Sequence, residues 1–264
     1  MFGALLAALA ASSTACTSQV VDAVLGCDDA SCAGAPAQRV PLPVHRYSFD
    51  ATGTDEVRDS IGGRSGVLVG ARYGTDADAG SVVFAGEQLG EYVDLPSHML
   101  WGLRDATLES WVKWRGGGRW QRVFDFGEDE TGVRGQQGTS PRSYLFLAFK
   151  PEPRVAFKKP SSTEEIFADT GVPMVTDVQT HLAVVVDDTN QSLALYVDGR
   201  LGAIVDFPDS LSDIYDTSAW LGQSLYRIDA EFGGSMAEFR IYDTALSADQ
   251  LLDTYLAGPN ALAQ

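Results

Sequence analysis

Past residue 43 the apolar positions come in short runs broken by Gly, Asp, Asn and Pro. Runs that alternate with polar residues suit a strand with one buried face. Runs that stay apolar suit a strand covered on both faces. The pattern predicts strands at residues 45–49, 66–69, 81–84, 92–94, 107–114, 121–126, 144–150 and 154–158. Trp111 and Trp114 fall on opposite faces of one of these, so at least one belongs to a core. Residues 181–187 form an apolar run, and Asp188 to Gln191 read as a turn. Leu193, Leu195 and Val197 then share one face of the next strand. Asp198-Gly199 follows, a two-residue hairpin signal, because a type I′ turn needs positive φ at both positions. Residues 201–207 return, completing a three-stranded meander.

A last strand is expected at residues 236–242. Ser247 and Gln250 then have the spacing of a capping box, which predicts a helix over 248–255. No repeat of about 40 residues is visible, which argues against a propeller. The pattern therefore gives an all-β chain, a two-sheet antiparallel sandwich with a short C-terminal helix.

The first 43 residues follow another logic. Residues 4–11 are apolar, too short to span a bilayer at about 20 residues per crossing, but suited to a signal-peptide core. Ser13-Thr14-Ala15-Cys16 resembles a lipobox, which implies acylation of Cys16 after cleavage; a plainly cleaved secretory signal is the alternative. All three cysteines lie in this region. With Cys16 lipidated, Cys27 and Cys32 remain as a pair able to close a small disulfide loop in an oxidising compartment. Residues 17–43 are rich in Ala, Ser and Pro and read as a flexible stalk. The expected organisation is a signal at 1–16, a stalk at 17–43 and one β domain at 44–264. Localisation follows: an exported lipoprotein of the outer membrane or cell surface, or a secreted protein, touching membrane only through the lipid.

Composition changes this picture in one respect. A formal net charge of −17 repels phosphate backbones and so disfavours nucleic acid as a partner. It tolerates cations, including Ca²⁺, whose ligands are hard oxygens.

Several segments, in order, resemble the laminin-G-like or concanavalin A-like jelly rolls of bacterial surface proteins. They are His45 to Asp50, Asp59 to Gly63, Gly80 to Gly86 with Tyr92 to Pro96, Ala106 to Val112, Thr180 to Val185, Leu195 to Gly199, and Gly233 to Tyr242 with Ala245-Leu246-Ser247. The resemblance spans about residues 44–257 and implies a concanavalin A-like jelly roll. It leaves function open, because that fold carries lectins, adhesins, accessory modules and enzymes. It also implies a structural role for His181, and one structural Ca²⁺ held by Asp50, Asp59 and Glu238, although Ala237 stands where such a strand often has an acid.

Glucanases of this fold use a Glu-x-Asp-x-Glu strand, which alternation places on one face. No such run occurs. The nearest, Asp125 to Glu130, reads as a solvated turn after a strand. Gly-x-Ser-x-Gly is absent, and Gly116-Gly117-Gly118 opens no helix and reads as a turn. A lyase built on His98 or His181 with Arg122 has no support in spacing. The chain is therefore expected to bind a glycan or a surface protein without catalysis. A polysaccharide-active enzyme or a structural envelope protein remain the alternatives. Sugars dock on aromatic faces beside a few polar groups. Trp101, Trp120, Trp220 and Tyr226 fall in expected loops or strand ends and are the candidate ligand-binding residues. The loop at 127–143, long for a sandwich, is the candidate binding edge.

Overall fold

Sixteen strands and one helix are built from the residues that the computed structural model describes, 39–50, 53–86 and 88–263. The strands are β1 (His45–Tyr47), β2 (Glu56–Val57), β3 (Gly66–Val69), β4 (Arg72–Tyr73), β5 (Val82–Phe84), β6 (Tyr92–Leu95), β7 (Ala106–Trp114) and β8 (Gln121–Glu128). They continue with β9 (Ser143–Phe149), β10 (Pro153–Lys158), β11 (Ile166–Asp169), β12 (Gln179–Asp187), β13 (Ser192–Val197), β14 (Arg200–Asp206), β15 (Ser218–Leu221) and β16 (Gly234–Tyr242), before α1 (Ala248–Ala257). Cys16, Cys27 and Cys32 lie outside the described residues.

The strands form two antiparallel sheets. The first runs β14-β13-β12-β7-β16-β5-β4, with β1 also on β16. The second runs β11-β10-β9-β8-β15-β6-β3-β2. The core lies between them. Leu108, Val184, Leu193 and Phe239 face it from the first sheet, and Phe124, Phe126, Leu147 and Phe157 from the second. Trp114 joins this core, while Trp111 lies buried on the opposite side of its strand, as odd spacing requires.

The local signals behave as the sequence implies. Asp198 and Gly199 both hold positive φ, at 49° and 71°, and reverse the chain between β13 and β14. Ser247 accepts from the Gln250 N–H while the Gln250 side chain accepts from the Ser247 N–H, which starts α1 where expected. The helix covers the outward face of the first sheet through Leu251, against Val185, Ala194 and Tyr242. Val40 is buried in the same cluster, and Gln250 donates to the Arg39 carbonyl. The body therefore begins at least at Arg39, and the end of the segment read as stalk packs with it.

A polar network lies beneath that helix. Glu109 accepts from Tyr242 Oη at 2.9 Å and from Thr254, with His181 Nε2 3.1 Å away. Burial works to raise the Glu109 carboxyl, but His181, Thr254 and Arg240 outweigh it and hold it below its usual range. His181 thus sits in a buried structural network that pins the helix to the sheet.

Candidate functional site

The outward face of the second sheet is the candidate site. Its register places Phe167, Ala156, Phe146, Asp125, Trp220 and Asp94 in one row across β11, β10, β9, β8, β15 and β6. The neighbouring row is Asp169, Arg154, Ala148 and Arg122. Strict alternation would put Arg122 and Asp125 on opposite faces. A register shift between Arg122 and Phe124 inserts a bulge and turns both outward.

Along β9, the aromatic residues divide between core and site. Leu145, Leu147 and Phe149 enter the core, whereas Tyr144, Phe146 and Ala148 form the floor of the outward face. Above this floor is a depression of about 330 Å³, lined by Trp120, Arg122, Phe146, Arg154, Glu165, Tyr226, Ile228 and Asp229. That volume is at the small end of the usual range for ligand clefts, about 300–1,000 Å³.

Two guanidiniums organise it. Arg122 is buried over the Phe146 ring, 3.8 Å from its centroid. It donates to Asp125 at 3.0 Å and to the Trp120 carbonyl at 2.9 Å, and pairs with Asp229 at 2.9 Å. Arg154 grips Asp169 with two bonds of 2.7 Å and Glu165 with one of 3.0 Å, and lies 3.8 Å from the Phe167 centroid. Two-pronged contacts of this kind fix orientation as well as charge. Burial pushes the Asp125 carboxyl up to about 6, opposed by Arg122, and also raises Asp229.

Trp120 projects into the depression from a backbone φ of 68°, a region a bulky residue seldom occupies. Its N–H donates to the Phe149 carbonyl, and its own carbonyl receives Arg122, so bonds on both sides hold the strained residue. Its ring is partly exposed, with the Arg154 guanidinium 5.3 Å from the centroid. Opposite it, Tyr226 lies edge-on to Tyr144, whose hydroxyl donates to Glu165 at 2.8 Å.

The structure unites only two of the four candidate aromatics. Trp120 and Tyr226 line the depression together. Trp220 has no exposed surface: it faces outward on β15 but lies under Tyr92 and donates to Asp94 at 3.2 Å, so it cannot stack on a sugar. Trp101 is exposed in a turn beside His98 and does not line the depression. Nor is the Asp125-to-Glu130 run a solvated turn. Strand β8 extends through Glu128, Asp125 has no exposed surface, and Asp129 is buried while accepting the N–H groups of Thr131 and Gly132.

The three proposed calcium ligands do not fit a cation. Both Asp59 oxygens are occupied, one by the N–H groups of Arg46, Ile61 and Gly62, the other by His45 and the Arg64 N–H. Glu238 is gripped by the guanidiniums of Arg46 and Arg240, each at 2.6 Å, positive charges where Ca²⁺ would have to sit. Asp50 is exposed, three residues beyond the end of β1. Among the described residues, no group of three or more His, Cys, Asp or Glu side chains is placed to hold a metal.

The loop at 129–142 crosses the same face over β15 and β6. Arg134 pairs with Asp94 at 2.9 Å, Gly135 donates to Ser218 at 3.0 Å, and Gln137 donates to the Ser224 carbonyl at 2.7 Å. Gly138 exchanges backbone bonds with Leu225 and Arg227.

Residues 86–252 match the Laminin_G_3 family, described as the concanavalin A-like lectin/glucanases superfamily. The chain belongs to that superfamily. A search of curated proteins found no match. Among solved structures, the superfamily fold recurs in domain 4 of AbnA, a GH43 extracellular arabinanase from Geobacillus stearothermophilus, in complex with arabinotriose. The likeness has a TM-score of 0.63 and 20% identity, over 80% of this chain and 97% of that one. A second similar structure is the Ruminococcus gnavus IT-sialidase CBM40 bound to alpha2,3 sialyllactose, at TM-score 0.50 and 19% identity, over 71% and 94% of the two chains. A third is the botulinum neurotoxin serotype D/C VPI 5993 binding domain, at TM-score 0.62 and 8% identity, over 81% and 51%. At these identities the shared property is the two-sheet fold.

Proposed function

We propose that this chain is a non-catalytic carbohydrate-binding module whose site is the Trp120–Tyr226 depression. The carrying observation is two part-exposed aromatic rings beside fixed polar groups, Arg154, Glu165 and Asp229, on a rigid strand floor. Sugar rings present axial C–H groups to aromatic faces and hydroxyls to such polar groups. Similar folds described with arabinotriose and with sialyllactose support the class of ligand.

Charge argues for an uncharged sugar. The two guanidiniums are already matched by Asp125, Asp229, Glu165 and Asp169, and the whole chain carries −17. An anionic sugar would have to displace a protein carboxylate to reach either arginine.

A turnover reading has one observation in its favour, the raised Asp125 carboxyl. Asp125 lies beneath Arg122 rather than on the lining, and Glu165 and Asp229 are held in ion pairs, which suits holding a ligand better than proton transfer. Export fits the same proposal, with Cys16 acylated or the leader simply cleaved. Mass spectrometry of the mature N-terminus distinguishes these.

Screening the full chain and its Trp120→Ala variant on a neutral and acidic glycan array tests the function. Retention on neutral glycans that the variant loses is expected. Binding to none, or equal binding by both proteins, sinks the assignment. Product release from a polysaccharide panel would instead establish the enzyme.

A further inference from the structure

The geometry points to a site that takes the end of a glycan chain rather than its interior. The inference rests on the carbohydrate reading above and narrows its ligand to the terminal units of an uncharged glycan.

A polysaccharide bound along its length needs a trough open at both ends. The outward face of an eight-stranded sheet could supply one running across the strands, but here it is blocked midway. Beyond β8 the 129–142 loop lies over β15 and β6, tied down by Arg134 on Asp94 and the Leu95 carbonyl and by Gly135 on Ser218. The same loop pairs through Gly138 with the Leu225–Arg227 segment, so strap and wall brace one another. Trp220, which an open trough would expose, has no accessible surface.

The open part on this side of the strap runs from Tyr226 and Trp120 across Arg154 to Phe167, a 43% exposed residue on the edge strand β11. A chain end can enter there and stop against Tyr226, with the remainder leaving over β11. A chain interior would have to pass through the strap. The depression, about 330 Å³, suits a short terminal segment.

The test is calorimetric titration of the full chain with arabino-, xylo- and cello-oligosaccharides of increasing length. A parallel pull-down uses each parent polysaccharide before and after partial hydrolysis. For whichever series binds, affinity should level off after the first few units, with longer ligands agreeing within about two-fold, a difference of less than 1 kcal/mol. Protein retained per gram of polysaccharide should rise in proportion to the number of chain ends. Affinity that keeps climbing with length, or retention that follows mass and ignores chain ends, overturns end recognition while leaving carbohydrate binding intact. Absence of binding to every neutral series overturns both.

Discussion

The guanidinium of Arg122 lies over the ring of Phe146, 3.8 Å from its centroid, with both residues almost wholly buried. Stacking removes one face of Phe146 from ligand contact and holds a positive charge between Asp125 and Asp229. The floor of the depression therefore offers no unpaired positive charge, and Trp120 and Tyr226 supply the part-exposed rings that line it.

This arrangement predicts a large stability effect at Arg122. Removing one partner of a buried ion pair leaves uncompensated charge, at a cost of about 3–5 kcal/mol. Arg122→Met should lower stability by that order in urea titrations. Adding Asp125→Asn should recover part of the loss, because one of the stranded carboxylates is removed. A single variant as stable as the parent would show that the pair contributes nothing.

Trp120 and Trp101 provide a matched contrast. A central aromatic in a binding site typically contributes about 2 kcal/mol, roughly thirty-fold in affinity. Trp120→Ala should lose about that much for a neutral glycan. Trp101, 71% exposed and away from the depression, should tolerate alanine without effect on binding or melting temperature. Titration of both variants with one ligand is sufficient. An equal loss from both would place the ligand elsewhere.

Much of the architecture was legible because it is written locally. Asp198-Gly199 encodes its turn in two residues, and Ser247 with Gln250 encodes the start of α1 in four. The site was only half legible because it depends on distant pairing. Trp220 lies on a four-residue strand, too short for an alternation to show, and its burial comes from distant residues, Tyr92 and Leu225 among them. Arg122 and Asp125 share a face only through a bulge, which periodicity hides. One signal was present. The unbroken apolar run of β9 carries Tyr144 and Phe146 at alternate positions opposite Leu145 and Leu147, and a strand apolar on both sides must be covered on both.

The grip of Arg46 and Arg240 on Glu238 bears on calcium. Chelation with EDTA, or addition of millimolar Ca²⁺, should leave the melting temperature of the full chain unchanged. A bound ion would stabilise by mass action and raise it. A clear calcium-dependent rise, lost on Asp59→Asn, would show that the ion displaces the ion pairs and turn contacts described above.

Asp125 makes stability depend on pH in a direction opposite to that of a well-paired carboxylate. Burial raises its carboxyl from 3.8 to about 6, so between those values the folded state keeps a proton that the unfolded chain has released. Stability associated with this group is fully present below about pH 4 and is lost as pH rises through 6. At 1.36 kcal/mol per unit, the total is of the order of 3 kcal/mol. Asp169 and Asp59, lowered in the fold, change in the opposite sense at more acid pH, so the parent's own profile mixes several groups. The comparison of variant with parent isolates the effect. Asp125→Asn imitates the protonated form at every pH. It should match the parent near pH 4 and become progressively more stable than it toward pH 7, as read by thermal melts of both proteins across that range. A constant offset between the two curves would mean that Asp125 titrates alike in the folded and unfolded chain, with Arg122 fully compensating its burial.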